Sequence, residues 1–215
     1  MTRLFVFDLD GTLVDSLRDL ADSASELIVS CGGVALEPDT VARMVGEGAA
    51  TLVSRAFAAA RVQQPPDALS RFLAIYDTRL LNHTRPYEGT ADTLKLLSSR
   101  ASLAVLTNKP LAATRRILEG LQLSVFFNVD AVIGGDGPVP RKPDPSGLQS
   151  LCDRAGVAPA DAVLVGDSQI DWQTARNAGT AICLARYGFG FREFPRDLLN
   201  GRERLIDRPV DLLKA

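Results

Sequence analysis

Leu4-Phe5-Val6-Phe7-Asp8-Leu9-Asp10-Gly11-Thr12 begins with four consecutive apolar residues, continues with two aspartates one residue apart and turns at a glycine. An apolar run without polar alternation reads as a strand buried on both faces, the kind found in parallel sheets covered by helices. It ends at Asp8, so Asp8 and Asp10 stand at the carboxyl end of that strand, where Gly11 permits a sharp turn. Taken alone, the segment also reads as a capped turn with two solvated aspartates.

Four more runs of the same character follow: Leu103-Ala104-Val105-Leu106, Ala131-Val132-Ile133, Ala162-Val163-Leu164-Val165 and Ala181-Ile182-Cys183-Leu184. Helical patterns separate most of them. Pro110 stands where a first helical turn would begin, and Leu111, Ile117, Leu118 and Leu121 follow at helical spacing. This alternation predicts an α/β fold with a doubly wound, Rossmann-like parallel-sheet core. Residues 17–86 break the alternation and read as helix. Leu17, Leu20, Ala21, Ala24, Leu27 and Ile28 mark one amphipathic face, which Gly32-Gly33 would end. Further helices are expected around 41–44, 49–60 and 67–81, with Pro65-Pro66 as a break. The expected organisation is a core of residues 1–16 and 87–215 with an inserted all-helical cap of residues 17–86. Its hinges would be Asp15-Ser16 and Arg85-Pro86-Tyr87-Glu88-Gly89, two connections at one edge.

The chain has 215 residues, 46% hydrophobic and 23% charged, enough for a substantial core. A net charge of −2 and a pI near 5.5 argue against the basic field that nucleic acid or an anionic membrane would require. Any anion must be held by local groups. Cys31, Cys152 and Cys183 are far apart and lack metal spacing, so they read as free thiols. The first apolar run is too short for a signal peptide and no stretch reaches transmembrane length, so a cytoplasmic protein is expected. No pattern sets an oligomeric state.

Three later segments also fall at or just beyond predicted strand ends, where open α/β sheets place ligands. Leu106-Thr107-Asn108-Lys109-Pro110 offers a hydroxyl, a carboxamide and the N–H groups of a helix start, an anion site or simply a helix cap. In Arg141-Lys142-Pro143-Asp144-Pro145 the prolines restrict where Lys142 can go. Val165-Gly166-Asp167-Ser168-Gln169-Ile170-Asp171 adds two acids four residues apart. Gathered with Asp8 and Asp10, these carboxylates would repel one another unless a cation sat among them, and hard oxygen ligands point to Mg²⁺.

In order and spelling these four segments resemble the haloacid dehalogenase superfamily over essentially the whole chain. Within it the spelling is most similar to phosphoglycolate phosphatases, through Val45-Gly46-Glu47-Gly48, Thr107-Asn108-Lys109-Pro110, Gly134-Gly135-Asp136, Arg141-Lys142-Pro143-Asp144-Pro145 and Tyr187-Gly188-Phe189-Gly190. One departure is Gln169-Ile170, where a basic residue followed by Asn is commoner. The resemblance implies a phosphatase that forms and hydrolyses an aspartyl-phosphate on a small phosphorylated metabolite, with Asp8 as nucleophile and Asp10 as acid and base. It further implies Mg²⁺ held by Asp8, the main-chain carbonyl of Asp10 and Asp167, with Asp171 as ligand or support. Lys142, Thr107 and Asn108 would bind the phosphate.

Gly46, Glu47, Gly48 and nearby Arg55 are the candidate specificity residues, against the plainer reading of a helix-joining turn and a surface arginine. His83, Trp172 and the Phe189, Phe191 and Phe194 group read as surface and packing residues. A phosphatase for another small phosphomonoester, a mutase similar to β-phosphoglucomutase and, from another class, a phosphoaccepting receiver domain are the alternatives. The receiver is disfavoured because its acid pair precedes a separate phosphoacceptor, and no helical insertion intervenes.

Overall fold

The computed structural model describes residues 3–214. In chain order the strands are β1 (Leu4–Phe7), β2 (Val14–Asp15), β3 (Arg85–Pro86), β4 (Ser102–Leu106), β5 (Val132–Ile133), β6 (Ala162–Gly166), β7 (Ala181–Ala185) and β8 (Arg204–Ile206). Six of them form one sheet in the order β5-β4-β1-β6-β7-β8, and every neighbouring pair is parallel. All five predicted strands are present. β8 is the addition: an edge strand reading Arg-Leu-Ile, with only Ile206 buried, carries no apolar run to betray it.

Side chains alternate across a strand, so β1 feeds two apolar layers at once. Phe5 and Phe7 join Val105 and Val165 on one face, under Leu94 and Leu97 of α5 (Thr90–Ser98) and Ile117 and Leu118 of α6 (Leu111–Gly120). Leu4 and Val6 join Ala104, Leu106 and Leu164 on the other, against Leu148 and Leu151 of α7 (Ser146–Ala155) and Ala175 of α8 (Gln169–Ala178). Helices on both faces explain why these strands are uninterrupted apolar runs.

Between β2 and β3 lie α1 (Leu17–Ser30), α2 (Pro38–Ala42), α3 (Ala49–Ala60) and α4 (Ala68–Asp77); the helical character matches the expectation, but α2 starts earlier than 41–44, α4 ends at Asp77 short of 81, and residues 85–86 are strand and not helix. α1 contacts each of the other three, and its buried Leu20, Ala24, Leu27 and Ile28 form the stripe that holds them. Where the chain leaves and re-enters the sheet domain, β2 and β3 pair antiparallel, Val14 with Pro86 and Asp15 with Arg85.

That junction is tied by a buried carboxylate. Asp19 accepts hydrogen bonds from the main-chain N–H groups of His83 (3.0 Å) and Thr84 (2.8 Å) and from the Thr84 hydroxyl (2.7 Å). Asp19→Ala would leave those donors without a partner away from water. We expect a loss of about 2–3 kcal/mol, roughly 5–10 °C in Tm for a chain of this size, measured by thermal and urea unfolding.

Among the described residues no helix is long and apolar enough to cross a membrane, and Cys31, Cys152 and Cys183 are free thiols. His83 is exposed. Trp172 is buried, donating to Glu203 (2.9 Å) beneath the Arg176 guanidinium, while Phe191 and Phe194 stack on each other.

Candidate active site

β1 lies between β4 and β6, and the chain winds outward from it in both directions. The crossovers therefore diverge to opposite faces and leave a crevice at the carboxyl ends of these three strands. Asp8 sits there, its N–H bonded to the Val165 carbonyl at 2.9 Å. Thr107 arrives from the end of β4 and Asp167 from the end of β6, both buried.

Lys142 enters over these groups. Its ammonium lies 2.9 Å from Asp8 Oδ1 and 2.6 Å from Asp171 Oδ1, with all three side chains at most 9% exposed. Burial alone would discharge this lysine, but Asp171 and Asp8 outweigh it and hold the ammonium above the usual lysine range. Burial is also the main reason the Asp8 carboxyl is pushed up to about 6; Lys142 offsets part of this, and Asp171 and Asp10 add to it. Asp167 is raised well above the carboxylate range by burial, then by Asp171 and Asp8.

Three buried carboxylates thus face one ammonium, and oxygens of Asp8, Asp167 and Asp171 lie within 4.8 Å of one another. Two observations fit a cation to this set. Asp8 Oδ1 is buried and receives no hydrogen bond of good geometry. The N–H groups of Thr12, Leu13 and Val14 all turn to the Leu9 carbonyl, leaving the Asp10 carbonyl without a main-chain donor among the described residues.

Asp171 behaves differently from Asp167. Its Oδ2 accepts from the N–H (3.1 Å) and hydroxyl (2.6 Å) of Ser168 in a capping box that starts α8, and its Oδ1 takes Lys142. Both oxygens are occupied in holding the lysine and the helix. Asp167 instead sits in a glycine cradle. A Cβ on Gly11, whose φ is +84°, would lie 2.0 Å from Asp167 Oδ2, and one on Gly188 would lie 2.3 Å from its Cβ. The Gly190 N–H donates to Asp167 at 2.8 Å. The Tyr187-Gly188-Phe189-Gly190 stretch therefore has a local physical role.

Asn108 departs from the expectation that its carboxamide would bind phosphate. One Nδ2 reaches the carbonyls of Gly46 (2.8 Å) and Lys142 (2.9 Å), and Oδ1 accepts from the Lys142 N–H at 2.9 Å. The side chain clamps the lysine loop to the α2–α3 turn, so only the main-chain N–H of Asn108 remains to face an anion.

Asp10 receives the Ser16 hydroxyl and, at 2.9 and 3.0 Å, the ammonium of Lys109. Lys109 had no role in the sequence reading. Its signal was its place between Asn108 and the helix-opening Pro110 at a strand end. In the fold its side chain is 4% exposed and lies under the Tyr76 ring of α4, 4.6 Å from the centroid.

Above Asp8 and Asp10 lies a cavity of about 390 Å³ between the sheet end and the helical segment. Gly46 and Gly48 line it with positive φ of +120° and +89°, which only glycine adopts cheaply. Glu47 and Arg55 do not line it. They form an ion pair with each other, each about 40% exposed, because α3 turns that face to solvent. Phe189, read as a packing residue, is buried and also borders the cavity.

Comparison with known proteins agrees with this architecture. The family profile of haloacid dehalogenase-like hydrolases matches residues 5–185. A phosphoglycolate phosphatase of Rhodospirillum rubrum is 41% identical over 198 residues, covering 88% of this chain and 81% of that protein. One from Caulobacter vibrioides is 36% identical over 214 residues, covering 97% and 88%. The crystal structure of a predicted phosphoglycolate phosphatase from Haemophilus somnus superposes with a TM-score of 0.90 at 30% identity, over 99% of this chain and 97% of that one. A profile match across most of the chain, joined to relatives of this identity and coverage, makes the protein a member of the haloacid dehalogenase-like hydrolases.

Proposed function

We propose that this protein is a Mg²⁺-dependent phosphatase that hydrolyses 2-phosphoglycolate through an aspartyl-phosphate on Asp8. One observation carries the reading: Asp8 is a buried carboxylate at the strand switch point, with Lys142 on one side, Asp167 within metal-sharing distance and Asp10 two residues along. The substrate comes from the relatives, several of which bear the name phosphoglycolate phosphatase.

In the first half-reaction an Asp8 carboxylate oxygen bonds to phosphorus as the ester P–O bond breaks, and Asp10 gives its proton to the departing alkoxide. In the second, the Asp10 carboxylate takes a proton from the water that attacks the aspartyl-phosphate, and phosphate leaves with Asp8 restored. The Lys142 ammonium neutralises Asp8 and the incoming phosphate oxygens, while the Thr107 hydroxyl and the Asn108 main-chain N–H donate to those oxygens. Asp8, Asp167 and the Asp10 carbonyl would hold the cation, with Asp171 holding Lys142 in support. When bound, Mg²⁺ supplies the positive charge that offsets the phosphoryl oxygens. Residues 17–86 act as one cap on the β2–β3 ribbon, over a core of residues 1–16 and 87–215. The free thiols fit a reducing cytoplasm.

The test is phosphate release with Mg²⁺ from 2-phosphoglycolate, glucose 1-phosphate, pyrophosphate, pyridoxal phosphate and mononucleotides, compared as kcat/KM. We expect 2-phosphoglycolate to lead; efficient use of another of these with poor use of 2-phosphoglycolate would reject the substrate assignment.

A further inference from the structure

The cavity above Asp10 has an unusual polar inventory. Leu20, Leu52, Phe72 and Leu80 make much of its helical side apolar, and among its lining residues Lys109 is the single lysine or arginine. An ammonium has three N–H donors. Two of those on Lys109 go to the oxygens of Asp10, and the buried ammonium packs against the Tyr76 ring, 4.6 Å from its centroid, at the wall of the cavity. Beside it stands Tyr76, itself 4% exposed and a lining residue, whose hydroxyl is buried without a hydrogen-bond partner. A buried hydroxyl left unpaired costs about 1–3 kcal/mol, and a ligand atom that pairs it recovers that cost.

We propose that Lys109 Nζ and Tyr76 Oη form a subsite for the carboxylate at the far end of the leaving group, which makes the enzyme selective for short phosphorylated carboxylic acids. The inference rests on the phosphatase reading above and deepens it. Its geometry follows from Asp10. The ester oxygen of a bound substrate must lie beside the Asp10 carboxyl that protonates it. In a phosphoryloxy acid the carboxyl carbon is only two bonds from that oxygen, and Lys109 is the cation that touches Asp10. A longer neutral polyol would instead meet Leu20, Leu52, Phe72 and Leu80, which offer its hydroxyls no hydrogen bond. Specificity would then come from a core lysine and a cap tyrosine meeting in the closed site. The exposed Glu47–Arg55 pair is not part of it.

Lys109 also supports Asp10, so its loss will slow every substrate; the informative quantity is a ratio. We would measure kcat/KM for 2-phosphoglycolate and for ethyl phosphate, which lacks only the carboxylate chemistry, in the wild type, Lys109→Met and Tyr76→Phe. The wild type should prefer 2-phosphoglycolate. Lys109→Met should erase that preference by about 10²-fold beyond any loss on ethyl phosphate, mostly through KM. Tyr76→Phe, which keeps the ring and the fold, should erode it roughly 3–10-fold. If the wild type prefers 2-phosphoglycolate and both variants keep the full preference, the subsite is wrong while the phosphatase reading stands. If the wild type itself shows no preference for 2-phosphoglycolate, the substrate reading fails and the subsite fails with it.

Discussion

Asp8→Asn will lower phosphate release by roughly 10⁴-fold or more, because an amide oxygen cannot carry the covalent intermediate and no other carboxylate stands in the same place. The same substitution should stabilise the metal-free fold. The Asp8 carboxyl is raised from an ordinary value of 3.8 to about 6, chiefly by burial. A group whose folded-state pKa lies above its unfolded value binds protons more tightly in the folded state, so it costs stability as pH rises through the window from about 4 to about 6. At pH 7.5 that cost is on the order of 2–3 kcal/mol. Asn carries no charge to bury. In chelator, Asp8→Asn should therefore melt above the wild type at pH 7.5 and close to it at pH 4, and Mg²⁺ should raise the wild-type Tm more at pH 7.5 than at pH 5. Turnover near the wild-type level, in a preparation free of host phosphatases, would remove Asp8 from the nucleophile's position.

Lys142→Ala should damage both function and fold. The ammonium is shared by Asp8 and Asp171, and all three groups are buried. Removing it leaves two adjacent carboxylates without their counter-charge, which in comparable buried pairs costs about 3–5 kcal/mol. It also removes the cation that would face the phosphate, worth ~10²–10³-fold in kcat. Urea unfolding read beside kcat separates the two effects. Lys142→Arg should recover little of either, since a planar guanidinium does not fit a point-charge site 2.6 Å from one carboxylate and 2.9 Å from another. A Lys142→Ala protein with wild-type stability would show that the three groups do not share charge as described.

Asn108 and Lys109 are neighbours in the chain, yet they were legible to different degrees. Both were visible as polar residues opening α6, and the anion-site reading treated Asn108 as a phosphate donor. In the fold its carboxamide is consumed by Lys142, 34 positions away, and by Gly46, 62 positions away. Lys109 acquires its partner Asp10 across 99 positions. Such pairings follow from which loops the sheet order brings together, and no local pattern encodes them. Arg55 misled for the converse reason: a cation near a glycine-rich turn is suggestive in sequence, but the phase of α3 sends it to solvent against Glu47.

The apolar runs, the acid pair after β1 and the presence of helices between β2 and β3 were decided by sequence alone. Burial on both faces demands uninterrupted apolar strands, and a sheet built from them offers its strand ends as the place for polar chemistry. The tertiary structure alone decided which of those polar groups remain free at Asp8. Hydrogen-bond donors and charges are used up by whatever packs beside them, and here the packing spends Asn108 and Asp171 on holding Lys142 while leaving Asp167 and Thr107 at the wall of the site.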